Sequence, residues 1–170
     1  MLESSIGRQG LVLFEIKRSV NIKQHINRER CEQMESWIIP CNPKYYDVLG
    51  AFDKFHKINW KQSLKAISPG DIVYVYVGKP YSAIMFKCRV NKVNLTAVEI
   101  DDHEFVIDGT NYLNYGNYME LELLERFSKA QITLSALQDS GMEGNIQGPR
   151  RTDISVQLFL DKIKGEPISK

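Results

Sequence analysis

Cysteine and histidine are both scarce in this chain, with three of each among 170 residues. The cysteines lie far apart and form no CxxC pair, and no two histidines have the HxxH spacing of a zinc site. The chain also lacks the GxGxxG and phosphate-loop motifs that hold nucleotide cofactors. These absences predict no metal centre, no cofactor and no disulfide framework.

Long apolar runs and a strong net charge are absent as well. No stretch approaches the roughly 18 apolar residues that a membrane-spanning helix needs, and the formal net charge is only +1. A near-neutral chain creates no global field, so any affinity for nucleic acid must come from local basic patches. With its sparse cysteines and no signal-peptide pattern, the chain is expected in the cytoplasm and not in a membrane.

Catalytic signatures are missing too. No GxSxG motif is present. The adjacent Asp101 and Asp102 fit a turn between two apolar runs better than an acid–base pair, because neighbouring side chains on a strand end point apart. Spacing and composition therefore indicate a strand-rich α+β domain and do not supply a function.

The clearest element that is present is a hairpin within Gly70–Val90. Its first run alternates Ile and Tyr with Val, so both faces are apolar and we predict a strand that is covered on both sides. The second run places Ile84, Phe86, Cys88 and Val90 on one face, with Lys87 and Arg89 on the other. We predict that residues 70–77 and 83–90 pair as antiparallel strands.

Periodicity and turn signals place further elements around this hairpin. We predict strands at 37–39, 93–100 and 119–126, and helices at 43–54, 133–139 and from residue 154 onward. The last helix would face inward through Ile154, Leu158 and Phe159. These elements form one domain, 34–164. A partly helical N-terminal extension, 1–33, precedes it, and a C-terminal tail, 165–170, follows it.

The segment Phe52–Lys65 interleaves basic side chains with the aromatic residues Phe52, Phe55 and Trp60. Cations that meet phosphates beside rings that stack on bases are typical of single-strand or extruded-base binding. A solvated basic loop whose aromatic residues lie in the core explains the same pattern. Composition alone does not decide between the two.

Several stretches, taken in order, resemble the EVE domain family of the PUA-like superfamily, which is related to the YTH and ASCH domains. They are WIIPCNPKYYDVLGAF, the segment from Trp60 to Gln62, GDIVYVYVG with its return IMFKCRV, NYMELELLERF and QGPRR. The resemblance spans about 35–164. It implies an α+β, PUA-like fold: a twisted, mostly antiparallel β-barrel with flanking helices.

The resemblance also implies a function. Such proteins read methylated or hydroxymethylated bases, alone or in bacterial restriction and defence systems. By similarity to the YTH pattern, Asn42 matches a base-contacting Asn and Trp60 a cage Trp. A second cage aromatic comes from the loop that holds Tyr112, Tyr115 and Tyr118, and Trp37 completes the predicted base-binding set. We expect the phosphates of the DNA or RNA partner at the basic residues Lys54, Lys57, Lys61, Arg150 and Arg151.

Two other functions remain open. One is a small hydrolase like some ASCH relatives, which use a Lys with a Thr and a Glu around the same pocket. Lys61 or Lys79 would supply the amine, although no matching Thr and Glu lie near either in sequence. The other is a protein-interaction module with a vestigial pocket, in which residues 1–33 dock a partner or form a homodimer.

Overall fold

The domain was analysed as a computed structural model, which describes residues 34–97, 99–108 and 116–167. The chain divides into two units, Met1–Met34 and Glu35–Lys170. Apart from Met34, the first unit lies outside the described residues, and so does the predicted extension 1–33. The helices and strands of the described residues all belong to the second unit.

The predicted hairpin is confirmed as the centre of the sheet. Strand β3, Ile72–Val77, pairs antiparallel with β4, Ala83–Leu95. The Val residues of β3 pack into one apolar cluster, while Tyr74 and Tyr76 pack into another on the opposite face. The strand is therefore covered on both sides, as its two apolar faces predict.

A β-bulge changes the predicted face of one residue. Val75 pairs with Phe86 while Tyr76 pairs with Ile84, which leaves Met85 as an extra residue in β4. An extra residue reverses the alternation of side chains beyond it. Ile84 consequently packs in the cluster opposite Phe86, and its predicted place on the same face is wrong.

The remaining strands of the described residues are β1 (Ser36–Cys41), β2 (Lys57–Lys61), β5 (Tyr118–Arg126), β6 (Arg150–Arg151) and β7 (Glu166–Pro167). Together with β3 and β4 they form one sheet in the order β2-β5-β4-β3-β1-β6, and β7 pairs with β5 beside β2. Among these described strands, only β1 and β3 pair in parallel. The α+β, mostly antiparallel character is confirmed. The closed barrel is wrong, because β2 and β6 end the hydrogen-bonded order without pairing with each other.

Three helices cover the two faces of this sheet. Helix α1, Val48–Lys54, packs with a 3₁₀ turn, His103–Phe105, on one side. Helices α2, Leu134–Asp139, and α3, Ile154–Leu160, contribute to the opposite cluster.

Several predicted boundaries need correction. Helix α1 begins at residue 48 rather than 43, because the side chain of Asp47 caps it by accepting from the Gly50 amide at 3.0 Å. Of the strand predicted at 93–100, residues 93–95 form the far end of the 13-residue β4, and the described residues 96, 97, 99 and 100 are not in a strand. Part of the predicted tail joins the sheet as β7. Helix α3 buries Val156 and Leu160, and leaves Ile154 and Leu158 exposed.

Candidate functional site

An open cavity of about 330 Å³ lies where the carboxyl ends of β1 and β2 approach each other. The two strands belong to distant positions in the sheet, with β5, β4 and β3 between them. The loop before β6 adds Pro149 to the lining. The cavity therefore collects residues from three separate parts of the chain.

Aromatic rings form much of the wall. Tyr45 is 54% exposed, Tyr46 is buried, and Trp60 is partly exposed. The rings of Tyr46 and Trp60 meet edge to face, with centroids 5.8 Å apart and planes at 88°. Trp60 is held by strand β2, in which it lies opposite Met119 of β5. Tyr45 and Trp60 thus offer ring surface to a ligand, and Tyr46 supports the indole from behind.

The backbone around the tyrosines is anchored to the segment that carries Asp102. The Asp47 amide donates to the Phe105 carbonyl at 2.8 Å, and the Ile107 amide donates to the Tyr45 carbonyl at 2.9 Å. Tyr46 forms an isolated antiparallel bridge with Val106. These bonds hold residues 45–47 outside helix α1, which is why the helix begins at residue 48 and not at the predicted residue 43.

A buried carboxyl lies behind Tyr46. The Tyr46 hydroxyl donates to Oδ2 of Asp102 at 2.7 Å, and Asp102 is fully buried. Its other oxygen, Oδ1, has no hydrogen-bond partner within the described part of the chain. Burial raises the pKa of Asp102, and the hydrogen bond from Tyr46 opposes that rise. The Tyr46 ring is therefore tied to a carboxyl that is costly to ionise.

Asn42, Lys61 and Ser63 supply polar groups to the lining, together with the exposed Tyr45. The side-chain oxygen of Asn42 already accepts from the Lys44 amide at 3.0 Å. Its amino group has no protein partner in the described residues, so the two amide hydrogens of Asn42 remain available to a ligand. None of the described residues that line the cavity is an aspartate or a glutamate.

The remaining lining is apolar and comes from the end of β1: Ile39, Pro40 and Cys41. Burial raises the pKa of the Cys41 thiol to about 12. The thiol is consequently neutral at physiological pH and acts as a small apolar surface rather than a nucleophile.

A polar groove of about 550 Å³ adjoins the cavity across Pro149. Arg150 and Arg151 line it together with Asn145, Gln147 and Gly148. Arg150 donates to the Glu143 carbonyl at 2.8 Å, and Arg151 lies 3.4 Å from a Glu35 carboxylate oxygen. Both guanidinium groups are thus oriented by the protein beside the cavity.

Three predicted site residues do not reach this cavity. Trp37 is only 4% exposed, donates its indole N–H to Asp71 at 2.9 Å and carries the Arg151 guanidinium over its ring, so it lies in the core and not in the lining of this cavity. Lys54 pairs with Glu104 at the end of α1. Lys57 pairs with Glu120 at 3.2 Å, at the other end of β2 from Lys61. The two lysines are four residue steps apart along the strand, a distance of roughly 13 Å.

The structure describes one of the three tyrosines that were predicted to supply the second cage aromatic. Tyr112 and Tyr115 lie outside the described residues, and Tyr118 is buried within β5. The aromatic side chains observed next to Trp60 are Tyr45 and Tyr46, which the sequence reasoning assigned to helix packing. Their position shortly after Asn42-Pro43, the turn that follows β1, was the sequence signal that could have placed them beside Asn42 in the site.

The described lining does not reproduce the hydrolase pattern, since Lys61 has neither a threonine nor a glutamate beside it in the cavity. Among residues 34–97, 99–108 and 116–167, no group of three His, Cys, Asp or Glu side chains is placed to hold a metal ion. In the same residues, no helix is long and apolar enough to cross a membrane.

No protein-family model matches the chain, and no curated protein is significantly similar to it. Solved structures do resemble it in fold. The ASCH protein from Zymomonas mobilis has a TM-score of 0.51 at 9% identity, over 78% of this chain and 97% of that one. A hypothetical protein from Leishmania major has a TM-score of 0.53 at 15% identity, over 77% of this chain and 94% of that one.

A Pseudomonas putida protein reaches a TM-score of 0.50 at 13% identity, over 74% of this chain and 97% of that one. At these identities the likeness concerns the fold alone. None of these structures is named as an EVE domain. The described residues of the second unit therefore share the general fold of the ASCH protein from Zymomonas mobilis.

Proposed function

We propose that the domain binds a single nucleobase, extruded from DNA or RNA, in the cavity between β1 and β2. The observation that carries the proposal is the convergence of Asn42, Tyr45 and Trp60 on one open cavity. Asn42 and Tyr45 follow β1, whereas Trp60 lies on β2, and three strands separate β1 from β2 in the sheet. A core would bury an exposed tyrosine and the face of a tryptophan, whereas a binding site leaves them accessible.

Stacking supplies most of the expected affinity. Extruding a base costs a few kcal/mol, and each aromatic stacking contact returns about 1–3 kcal/mol. The exposed ring of Tyr45 and the partly exposed ring of Trp60 offer two such contacts. Two contacts are enough to offset extrusion, and the least costly ligand is a base that is already single-stranded.

Cations near the cavity provide for the phosphates that flank the base. Lys61 lines the cavity itself, and Arg150 and Arg151 line the adjoining groove. Phosphate contacts position a strand without reading its sequence. We infer that the backbone leaves the cavity across Pro149 and enters this groove.

The apolar end of β1 suits a base that carries a methyl or hydroxymethyl group. Burying one methyl against Ile39, Pro40 and Cys41 is worth about 0.8 kcal/mol, which corresponds to about a fourfold preference over the unmodified base. The resemblance to EVE domains is the reason to begin with the methylated and hydroxymethylated bases of bacterial restriction and defence.

Fluorescence anisotropy with short single-stranded DNA and RNA tests the proposal. Tyr45→Ala removes an exposed ring and should weaken binding by about 1–3 kcal/mol, with the free energy of unfolding nearly unchanged. Trp60→Leu should weaken binding similarly, whereas Trp60→Phe, which keeps a ring, should retain most of it. Modified and plain oligonucleotides are compared in parallel.

Trp60 also packs against the core, so the two Trp60 variants are compared with each other rather than with the wild type. Tyr45→Ala carries no such complication because its ring is exposed. If binding is insensitive to Tyr45→Ala and equal in Trp60→Leu and Trp60→Phe, the cavity does not bind the nucleic acid and the proposal is refuted.

A further inference from the structure

The polar side chains of the cavity offer hydrogen-bond donors in excess. Asn42 presents its amino group, because its oxygen already accepts from the Lys44 amide at 3.0 Å. The Lys61 ammonium is a donor with no acceptor capacity. Ser63 and Tyr45 carry hydroxyls, which donate or accept. No carboxylate is present among the described lining residues to accept from a ligand.

We propose that this cavity selects a base whose pairing edge carries carbonyl oxygens, as in uracil and thymine, over bases that present an amino group there. The inference rests on the proposed function and specifies its substrate class. It covers uracil-type pyrimidines with and without a substituent at C5, since the substituent would lie against the apolar end of β1.

The chemistry of the base edges supports this choice. Uracil and thymine present two carbonyl acceptors that flank one N–H, so the Asn42 amino group and the Lys61 ammonium each find an oxygen. The N–H between them requires a single acceptor, which a hydroxyl of Ser63 or Tyr45 supplies. Cytosine and adenine each replace a carbonyl by an amino group. An amino group set against the donors of Asn42 or Lys61 leaves both sides without an acceptor.

The expected discrimination follows from measured values for comparable contacts. A well-placed pair of hydrogen bonds to a base edge discriminates by about 1–3 kcal/mol. We therefore expect a preference of about 5- to 150-fold for the carbonyl-bearing base. This preference is separate from stacking, because every base offers a ring face.

The test uses short oligonucleotides in which one central base is flanked by abasic positions, so that only that base enters the cavity. The RNA series carries uracil, cytosine or adenine, and the DNA series carries thymine, cytosine or adenine. Dissociation constants from anisotropy should be lowest for uracil and thymine, by about fivefold or more. A difference between the series assigns the natural source to RNA or DNA, and in either case the base order should hold.

Asn42→Asp provides the decisive variant. Aspartate has the same shape and still accepts from the Lys44 amide, but it places an acceptor where the amino group was. The ratio of the cytosine to the uracil dissociation constant should fall at least fivefold, towards or past equality. Asn145→Asp is the matched control, because it adds the same charge in the adjoining groove. It should weaken binding to both bases alike.

Two results would overturn the inference while leaving the proposed function intact. One is wild-type binding that depends on Tyr45 yet is equal for all bases. The other is a cytosine-to-uracil ratio that Asn42→Asp does not change. Binding that is insensitive to Tyr45→Ala, by contrast, would overturn the proposed function first.

Discussion

Tyr46→Phe probes the buried support of the cavity wall. The change keeps the ring and its edge contact with Trp60, and removes only the hydroxyl that donates to Asp102 at 2.7 Å. A hydrogen bond to a charged group contributes about 1.5–3 kcal/mol. Asp102 is fully buried, its Oδ1 has no partner in the described residues, and the Tyr46 hydroxyl is the largest of the influences that oppose the effect of burial on its pKa. We expect a loss of about 1.5–3 kcal/mol in the free energy of unfolding at pH 7.

The loss should depend on pH in a definite direction. Burial raises the pKa of Asp102 above its unfolded value, which is about 3.9. The folded state therefore binds the proton more tightly, and stability falls as pH rises from the unfolded to the folded pKa. Removing the hydroxyl raises the folded pKa further and deepens this penalty. At low pH both states are protonated, so only the loss of a neutral bond, about 1 kcal/mol, remains.

Urea denaturation measures both effects, at pH 7 and at the lowest pH where the wild type still unfolds cooperatively. Tyr45→Phe is the matched control, because Tyr45 is exposed and its hydroxyl has no hydrogen bond to the described residues. It should change stability by less than about 0.5 kcal/mol. A Tyr46→Phe loss as small as that of the control, or one equal at both pH values, would refute the role given to the Tyr46–Asp102 pair.

Four further changes test the fold and the site. Leu121→Ala empties a fully buried position in β5 and should cost about 2–5 kcal/mol by urea denaturation. Thr133→Ala removes the cap that accepts from the Ala136 amide at 3.2 Å and should cost about 1 kcal/mol in the same assay. Gly141→Ala places a side chain at φ +109°, 2.8 Å from Ser155 Oγ, and should lower thermal stability by about 1–2 kcal/mol. Lys61→Met removes a cation and a hydrogen-bond donor from the cavity, so it should reduce the slope of log K against log salt by about 0.7 and lower the preference for uracil over cytosine, as measured by anisotropy.

The central strands could be predicted because their patterns are local. A continuous apolar run specifies the doubly covered strand β3, and apolar–polar alternation specifies the Met119–Leu123 part of β5. The bulge at Met85 could not be predicted, since a two-residue alternation carries no mark of where one extra residue enters. For the same reason Ile84 was assigned to the wrong face.

Helix α3 shows the limit of periodicity more sharply. Its apolar residues Ile154, Val156, Leu158 and Leu160 alternate along seven residues, so two different faces of the helix are apolar. Only the packing against the sheet selects Val156 and Leu160 for burial. The angle at which the helix approaches the sheet decides this, and that angle has no local signature.

At the site, resemblance identified Asn42 and Trp60, and the structure places both in the lining of one cavity. It did not identify Tyr45, because adjacent tyrosines after a turn fit a helix entry equally well. The hydrogen bonds from residues 105–107 are what hold them in a turn instead. Trp37, which was also predicted for the site, instead lies in the core and donates its indole N–H to Asp71.

The sequence by itself determined the strand-rich α+β class, the central hairpin and the absence of recognisable metal, cofactor and nucleophile motifs. Each of these depends on neighbouring residues, where side-chain alternation and turn chemistry act directly. The tertiary structure alone decided that the sheet stays open and that Tyr45 rather than Trp37 lines the cavity with Trp60. These outcomes depend on contacts between residues distant in the chain, whose free energies no local pattern records.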